Sequence, residues 1–154
     1  ILDTISDDIT IKWPNDIYWK DKKLAGILIE TSLFRNVISK AVVGIGLNVN
    51  QTQFLSDAPN PISLKQITGK SYHRKKLLNE IRTSILDVYL QWMPDKIRSV
   101  YAQSLYRKDG YHPYQSATGI FWAKINRIYP DGALELETEK GETAKYYFKE
   151  VKFL

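Results

Sequence analysis

Lys12-Trp13-Pro14-Asn15-Asp16 is followed closely by Lys23-Leu24-Ala25-Gly26-Ile27-Leu28-Ile29-Glu30, so two lysines, an Asn–Asp pair and a strand glycine fall within fifteen residues. Apolar, strand-like segments surround them. The chemistry that suits this set is activation of a carboxylate by a nucleotide. Joining a carboxylate to an α-phosphate brings two anions together; lysines offset that repulsion and stabilise the charge of the pentavalent transition state. Asn and Asp oxygens suit a hard cation such as magnesium, which takes few protein ligands. Asp16 is placed to position or deprotonate an attacking amine. Gly44, Gly46 and Asn48 lie on the next expected strand and are expected to border the same pocket, because glycine inside a strand often marks close approach of a ligand to backbone. Each feature has a plainer reading. Lys12 and Lys23 could be edge charges that block strand pairing, Asn15-Asp16 only a turn, and Gly44 and Gly46 bulge sites. Taken together they favour a site, in which Lys12 and Lys23 converge on one cleft.

The elements that must position these residues are short strands. Ile9, Ile11 and Trp13 alternate with Thr10 and Lys12, a period-two pattern. Pro14 biases Trp13 toward extended backbone and ends the ladder. Asn15-Asp16 is a turn, Ile17 to Trp19 a second strand, Lys20 to Lys23 a charged hairpin turn, and Leu24 to Thr31 an apolar run. Leu33 to Asn36 is a further turn and Val37 to Asn50 a Val/Ile-rich strand. The first fifty residues therefore predict an antiparallel meander of four strands. Ser63 to Gly69 is a short helix after an irregular, proline-punctuated stretch.

From His73 to Met93 the period changes. Leu77, Leu78, Ile81, Ile85, Val88, Tyr89 and Trp92 recur at helical spacing and predict a long helix with these residues packed into a core. Pro94 ends it. Asp95 caps a second helix to about Arg107, with Ile97, Val100, Tyr101 and Leu105 inward. Strands follow over Gly119–Tyr129, Ala133–Thr138, Thr143–Phe148 and Val151–Leu154, joined by tight turns such as Pro130-Asp131-Gly132. The expected fold class is α+β: a mostly antiparallel sheet packed by helices, followed by a small SH3-like β-barrel. The opening Ile1-Leu2-Asp3-Thr4 reads as the tail of an element, without an initiating methionine.

The 154 residues are 44% hydrophobic and 25% charged, enough for a real core and unlike a disordered chain. Cysteine is absent, which excludes disulfides and thiolate metal sites and is compatible with a cytoplasmic setting. No apolar run is long enough to cross a bilayer, and no signal-peptide pattern opens the chain. The two histidines, His73 and His112, are far apart and no Gly-x-Ser-x-Gly elbow occurs, so imidazole-driven hydrolysis is disfavoured. The net charge of +5 reads first as a solvated basic surface, second as attraction to an anionic partner.

KWPND at 12–16, KLAGILIE at 23–30 and VVGIGLNVN at 42–50 resemble, in order and spacing, blocks of the biotin protein ligases, the biotin–[acetyl-CoA-carboxylase] ligases. The resemblance assigns residues 1–112 to the latter half of the ligase catalytic domain and 113–154 to the SH3-like C-terminal domain. It implies a two-step reaction. Biotin and ATP give biotinyl-5′-adenylate and pyrophosphate, and the biotinyl group then passes to a lysine on the acceptor domain of a biotin-dependent carboxylase. Carried over by position, Lys23, Asp16 and Lys12 are the catalytic set. Lys23, Gly26 and Ile27 line the biotin pocket; Lys12, Asn15, Asp16 and Asn48 meet the nucleotide; Asp16 and Asn48 hold Mg2+. A homodimer is compatible with it, and DNA becomes a partner only where a helix-turn-helix lies upstream. One departure stands out. The family's Gly/Arg-rich segment and the upstream residues that grip the biotin ring are absent, so the chain is expected to be a fragment and inactive alone. The alternatives are a lipoate ligase, which shares the adenylation logic, and a binding module that uses the barrel and its aromatics Tyr111, Tyr114, Phe121, Trp122, Tyr129, Tyr146 and Tyr147, although no aromatic–basic motif of the RNA-binding type is present.

Overall fold

The computed structural model describes residues 8–35, 37–55 and 59–154. The expectation for Ile1-Leu2-Asp3-Thr4, and the Asn36 end of the expected turn, lie outside the described residues. The chain divides into two compact units. One holds the residues up to Thr10 together with Asn15–Pro94; the other holds Ile11–Pro14 together with Asp95–Leu154.

The first unit carries an antiparallel meander. Strands β1 (Ile9–Lys12), β2 (Asp16–Trp19), β3 (Lys22–Phe34) and β4 (Val37–Leu47) are hydrogen-bonded in the order β1-β2-β3-β4. β1 runs through the boundary, with Ile11 and Lys12 counted in the second unit. The charged turn is tighter than the sequence suggests, because β3 already begins at Lys22. Register decides which residues meet. Asp16 pairs with Gly26, which pairs with Gly46, while Ile17 pairs with Ala25, which pairs with Leu47. Successive residues face opposite sides of a strand, so the first row lies on one face and the second on the other, and a one-residue slip would exchange them.

The core of this unit is Leu24, Val49, Ile62, Leu64 and Leu77, with Ile9, Trp19, Leu47, Ile67, Tyr72 and Ile81 packed around it. Helix α1 (Leu64–Thr68) starts where sequence places it. The Ser63 hydroxyl accepts from Gln66 N at 3.2 Å and the Gln66 side chain accepts from Ser63 N at 3.1 Å, a reciprocal cap that satisfies two otherwise orphaned donors. Gly69 ends it with φ at 71°, a conformation that disfavours a side chain. Helix α2 (Arg74–Gln91) follows, and α3 (Pro94–Gln103) opens the second unit.

The helices correct the core assignment. Of the seven apolar residues expected to pack along α2, only Leu77 is buried, with Ile81 at the core's edge; Leu78, Ile85, Val88, Tyr89 and Trp92 are exposed. On α3, Ile97 and Val100 are exposed, and the helix stops at Gln103 rather than near Arg107. Helical periodicity marks a face able to be buried; it does not supply the surface that buries it. Large apolar residues are also exposed along the outer part of β3 and β4, including Leu28, Ile29, Leu33, Ile38 and Val43.

The second unit is built on β5 (His112–Ser116), β6 (Gly119–Ile128), β7 (Leu134–Thr138), β8 (Thr143–Tyr146) and β9 (Val151–Phe153), hydrogen-bonded in the order β8-β7-β6-β5-β9. β5 lies before the first strand expected in this part of the chain, and carries Pro113, which has no N–H to give to a ladder. Tyr114, Ala123, Leu134 and Leu136 are buried at its centre. Tyr114 packs edge-on to Phe153 at 4.8 Å and stacks with Phe121 at 6.0 Å between ring centroids. Ile11–Pro14 is fastened here. Ile11 N donates to Ser104 O at 2.8 Å, Tyr106 N to Ile11 O at 2.9 Å, and the Trp13 indole N–H to Gly132 O at 2.8 Å. Gly132, at φ 84°, completes the predicted turn.

Glu135 is buried on β7, where its carboxylate accepts from the Tyr129 hydroxyl, from Arg127 Nε at 2.8 Å and from Asn126 Nδ2 at 2.6 Å. These donors, the Tyr129 hydroxyl foremost, hold the carboxyl below its ordinary value of 4.5. Asp131 is lowered in the same way, chiefly by Lys145. A carboxylate with a depressed folded-state pKa adds stability above the unfolded value and loses it as pH falls through the folded one. Thermal unfolding is therefore expected to show a steep acid limb below about pH 4.5. Glu135→Gln should lower the midpoint at neutral pH and flatten that limb; an unchanged limb would show that the network is not what acid disrupts.

Candidate functional site

Asp16 and Gly26 share a row of the sheet, but Lys23 stands three positions before Gly26. In a regular strand that odd spacing puts the two on opposite faces. A register irregularity lies where Tyr18 pairs with Lys23 and Ile17 with Ala25, leaving Leu24 as an extra residue. The shift reconciles the parity: Leu24 enters the core while the Lys23 side chain reaches the Asp16 side of the sheet. Lys23 Nζ lies 2.7 Å from Asp16 Oδ1, and both side chains are a little over a quarter exposed. The Lys23 backbone is held from both directions, its N–H donating to Asn60 O and its carbonyl accepting from Ile62 N, each at 2.9 Å.

Beside the ion pair the sheet surface is bare. A β-carbon on Gly26 would come within 3.2 Å of Asp16 Oδ1 and 3.4 Å of Lys23 Nζ, so glycine here lets the pair lie against the backbone. At Gly44 and Gly46 a β-carbon would meet nothing closer than 3.8 Å. The protein itself does not demand glycine there; the space above those two residues is left open. Asn15, Asp16, Lys23, Gly26, Ile27, Leu28, Gly44, Ile45 and Gly46 line this depression, of about 500 Å³. One cation, one carboxylate, a flat peptide floor and an apolar rim can seat a planar, weakly polar group and pair with an acid at its end.

The expected residues separate into three groups. Asn15, Asp16, Lys23, Gly26 and Ile27 line the depression together with Gly44 and Gly46. Asn15 also clamps its neighbour strand: its carbonyl accepts from Ile27 N at 2.9 Å and its side-chain amide donates to Ile27 O. Asn48 does not line the depression; its amide donates to the Lys23 carbonyl at 3.4 Å. Lys12 is in the second unit, where its ammonium lies 5.4 Å from the Phe153 ring centroid. Leu28 and Ile45 were not singled out from sequence, although Leu28 shares the parity of Gly26 and could have been. Among the described residues no group of three or more His, Cys, Asp or Glu is placed to hold a metal. The single carboxylate of Asp16 suits only an ion that arrives on a polyphosphate.

This fold is that of solved biotin protein ligases. The apo biotin protein ligase of Aquifex aeolicus superposes with a TM-score of 0.72 at 24% identity, over 99% of this chain and 68% of that one. The same ligase in complex with biotin and ATP gives 0.71 at 23% identity, over 99% and 66%. In sequence, residues 3–48 match the Biotin/lipoate A/B protein ligase family. It is 30% identical over 139 residues to the bifunctional ligase/repressor BirA of Bacillus subtilis, a match spanning 85% of this chain and 42% of that protein. It thus spans less than half the length of the curated relatives it matches.

Proposed function

We propose that this chain serves ATP-dependent attachment of biotin to a lysine of a carboxylase acceptor domain, by way of biotinyl-5′-adenylate. The observation that carries the reading is the Lys23–Asp16 pair set against the open glycine floor. In this reading the planar ureido ring of biotin's folded bicycle lies over Gly44 and Gly46, and the carboxylate at the end of its alkyl chain replaces Asp16 as the partner of Lys23. Neutralised by the ammonium, that carboxylate can attack the α-phosphate of ATP, with pyrophosphate leaving, without the full repulsion of two anions. Asp16, released from Lys23, is then free to accept the proton of an incoming lysine amine as that amine takes the biotinyl carbonyl and AMP leaves. Lys12, Asn15 and Asn48 are assigned to the nucleotide. Mg2+ would come with the nucleotide and find its protein oxygens at Asp16 and Asn48, supplying charge to the phosphates.

Residues 1–112 take the catalytic part in this proposal and 113–154 the SH3-like part, in a cytoplasmic setting. None of the described helices is long and apolar enough to cross a membrane. The 154 residues contain no Gly/Arg-rich segment, so ligand binding rather than turnover is the readout for this chain. Isothermal titration with biotin, lipoate and ATP tests it. Biotin is expected to bind, more tightly with ATP present, and lipoate to give no heat. Preference for lipoate would move the chain to the sister activity, and no binding of either acid would remove the ligase reading of the depression.

A further inference from the structure

The excess positive charge of this chain is confined to one segment. Between Asp57 and Glu80 the sequence holds Lys65, Lys70, Arg74, Lys75 and Lys76 and no acidic residue. Apart from those five, the chain carries 17 cationic and 17 acidic side chains, so the whole net charge of +5 resides there. Lys65 is on α1, Lys70 follows the Gly69 cap, and Arg74, Lys75 and Lys76 form the first turn of α2. All but Lys65 are exposed. Among the described residues only Lys76 has a carboxylate in reach, Glu80 at 3.9 Å.

Folding does not ask for this arrangement. The first turn of a helix favours acidic residues and repels cations, yet α2 has no acidic residue there. The end of the helix is already capped, since His73 Nδ1 accepts from Lys76 N at 3.3 Å. What remains unexplained is the cluster of cationic side chains held where the helix field opposes them. The cluster is also fixed to the strand that forms the glycine floor. Asn50 and Tyr72 exchange two hydrogen bonds, at 2.8 and 2.9 Å, and Leu64 N donates to Asn48 O at 3.0 Å. Asn48 and Asn50 continue directly from β4 beyond Gly46.

We infer that the surface formed by Lys65, Lys70 and Arg74–Lys76 docks an acidic face of the protein that receives the acyl group. The choice of partner rests on the ligase reading, whose second step must bring a protein to this unit. The surface suits carboxylates better than nucleic acid. Tyr72 is half-buried, with its hydroxyl donating to Thr68 Oγ1 at 2.8 Å, and the one other aromatic ring of the segment, His73, is tied to α2 as its cap, so bases find no broad stacking platform. An island of like charge raises the encounter rate with an oppositely charged surface and loses that effect in salt.

The test is fluorescence anisotropy with labelled poly-L-glutamate and a duplex oligonucleotide of equal charge, at low and high salt. Two triple variants of the chain are compared, Arg74→Glu/Lys75→Glu/Lys76→Glu and Lys140→Glu/Lys149→Glu/Lys152→Glu. The first places acids in the first turn of α2, so loss of binding cannot be charged to unfolding of that helix. Polyglutamate should bind more tightly than the duplex. The first variant should weaken it about tenfold or more, and the second, with the same change in net charge, about threefold or less. Equal loss in both variants, preference for the duplex, or no binding at low salt would each overturn the inference. Biotin titration separates the two ideas: the first variant should bind biotin as the parent does, and failure of the parent to bind biotin would sink the ligase reading whatever polyglutamate does.

Discussion

Lys23→Met is expected to weaken biotin binding by roughly 30-fold, about 2 kcal/mol, the scale of one lost hydrogen bond to a charged group. Any adenylate formation should fall further, by about 10²–10³-fold, because the developing charge at phosphate loses a positioned cation. Both effects follow from one geometry. The ammonium is 2.7 Å from Asp16, over a floor without side chains, and its backbone is pinned on both sides. Methionine keeps the length and removes the charge, so the strand should hold. It leaves the Asp16 carboxylate without its partner, and Lys23→Met/Asp16→Asn is the control for that. If the double variant recovered biotin affinity, the loss would belong to the stranded carboxylate, and Lys23 would not be the group that meets the acid. Titration calorimetry with circular dichroism on the same samples decides it.

Tyr114 should divide packing from hydrogen bonding in the second unit. It is fully buried, and its hydroxyl has no hydrogen-bond partner among the described residues. Burial pushes its pKa up to about 12, so it stays neutral at any working pH. Tyr114→Ala removes the ring between Phe121 and Phe153 and is expected to cost about 3–5 kcal/mol, enough to unfold a marginal unit. Tyr114→Phe keeps the ring and deletes an unpaired polar atom, whose desolvation was unrewarded; stability should be unchanged or rise by about 1 kcal/mol. Urea unfolding followed by tryptophan fluorescence reads both. A large loss in the Phe variant would mean that the hydroxyl is satisfied in solution by a buried water.

The strands around the site were legible because their signals are local. The strand at Ile9–Lys12 and the short helix after Ser63 each depend on residues a few positions apart, and each appears where expected, whereas the expected Asn15-Asp16 turn falls on Trp13–Asn15 and Asp16 already opens β2. The short blocks at 12–16, 23–30 and 42–50 carried the family. Leu105 is buried as expected, but most of the α2 stripe and Ile97 and Val100 of α3 misled for the opposite reason: burial is a property of a pair of surfaces, and periodicity describes one of them. β5, by contrast, shows no local signal of its own and is defined by its pairing with β6, in which Pro113 stands opposite Trp122.

By itself, the sequence determined which residues carry charge, which lack a side chain, and the order in which they come. Lys23, Asp16, Gly26, Gly44 and Gly46 were therefore identifiable as a set. The tertiary structure alone decided that Asp16, Gly26 and Gly46 share a row, and that a single extra residue at Leu24 turns Lys23 onto the same side. It also turned the Asn48 side chain onto the Lys23 carbonyl. The reason is the two-residue period of a strand: facing depends on register and bulges, which are fixed by pairing between distant segments and leave no mark on the order of residues along one of them.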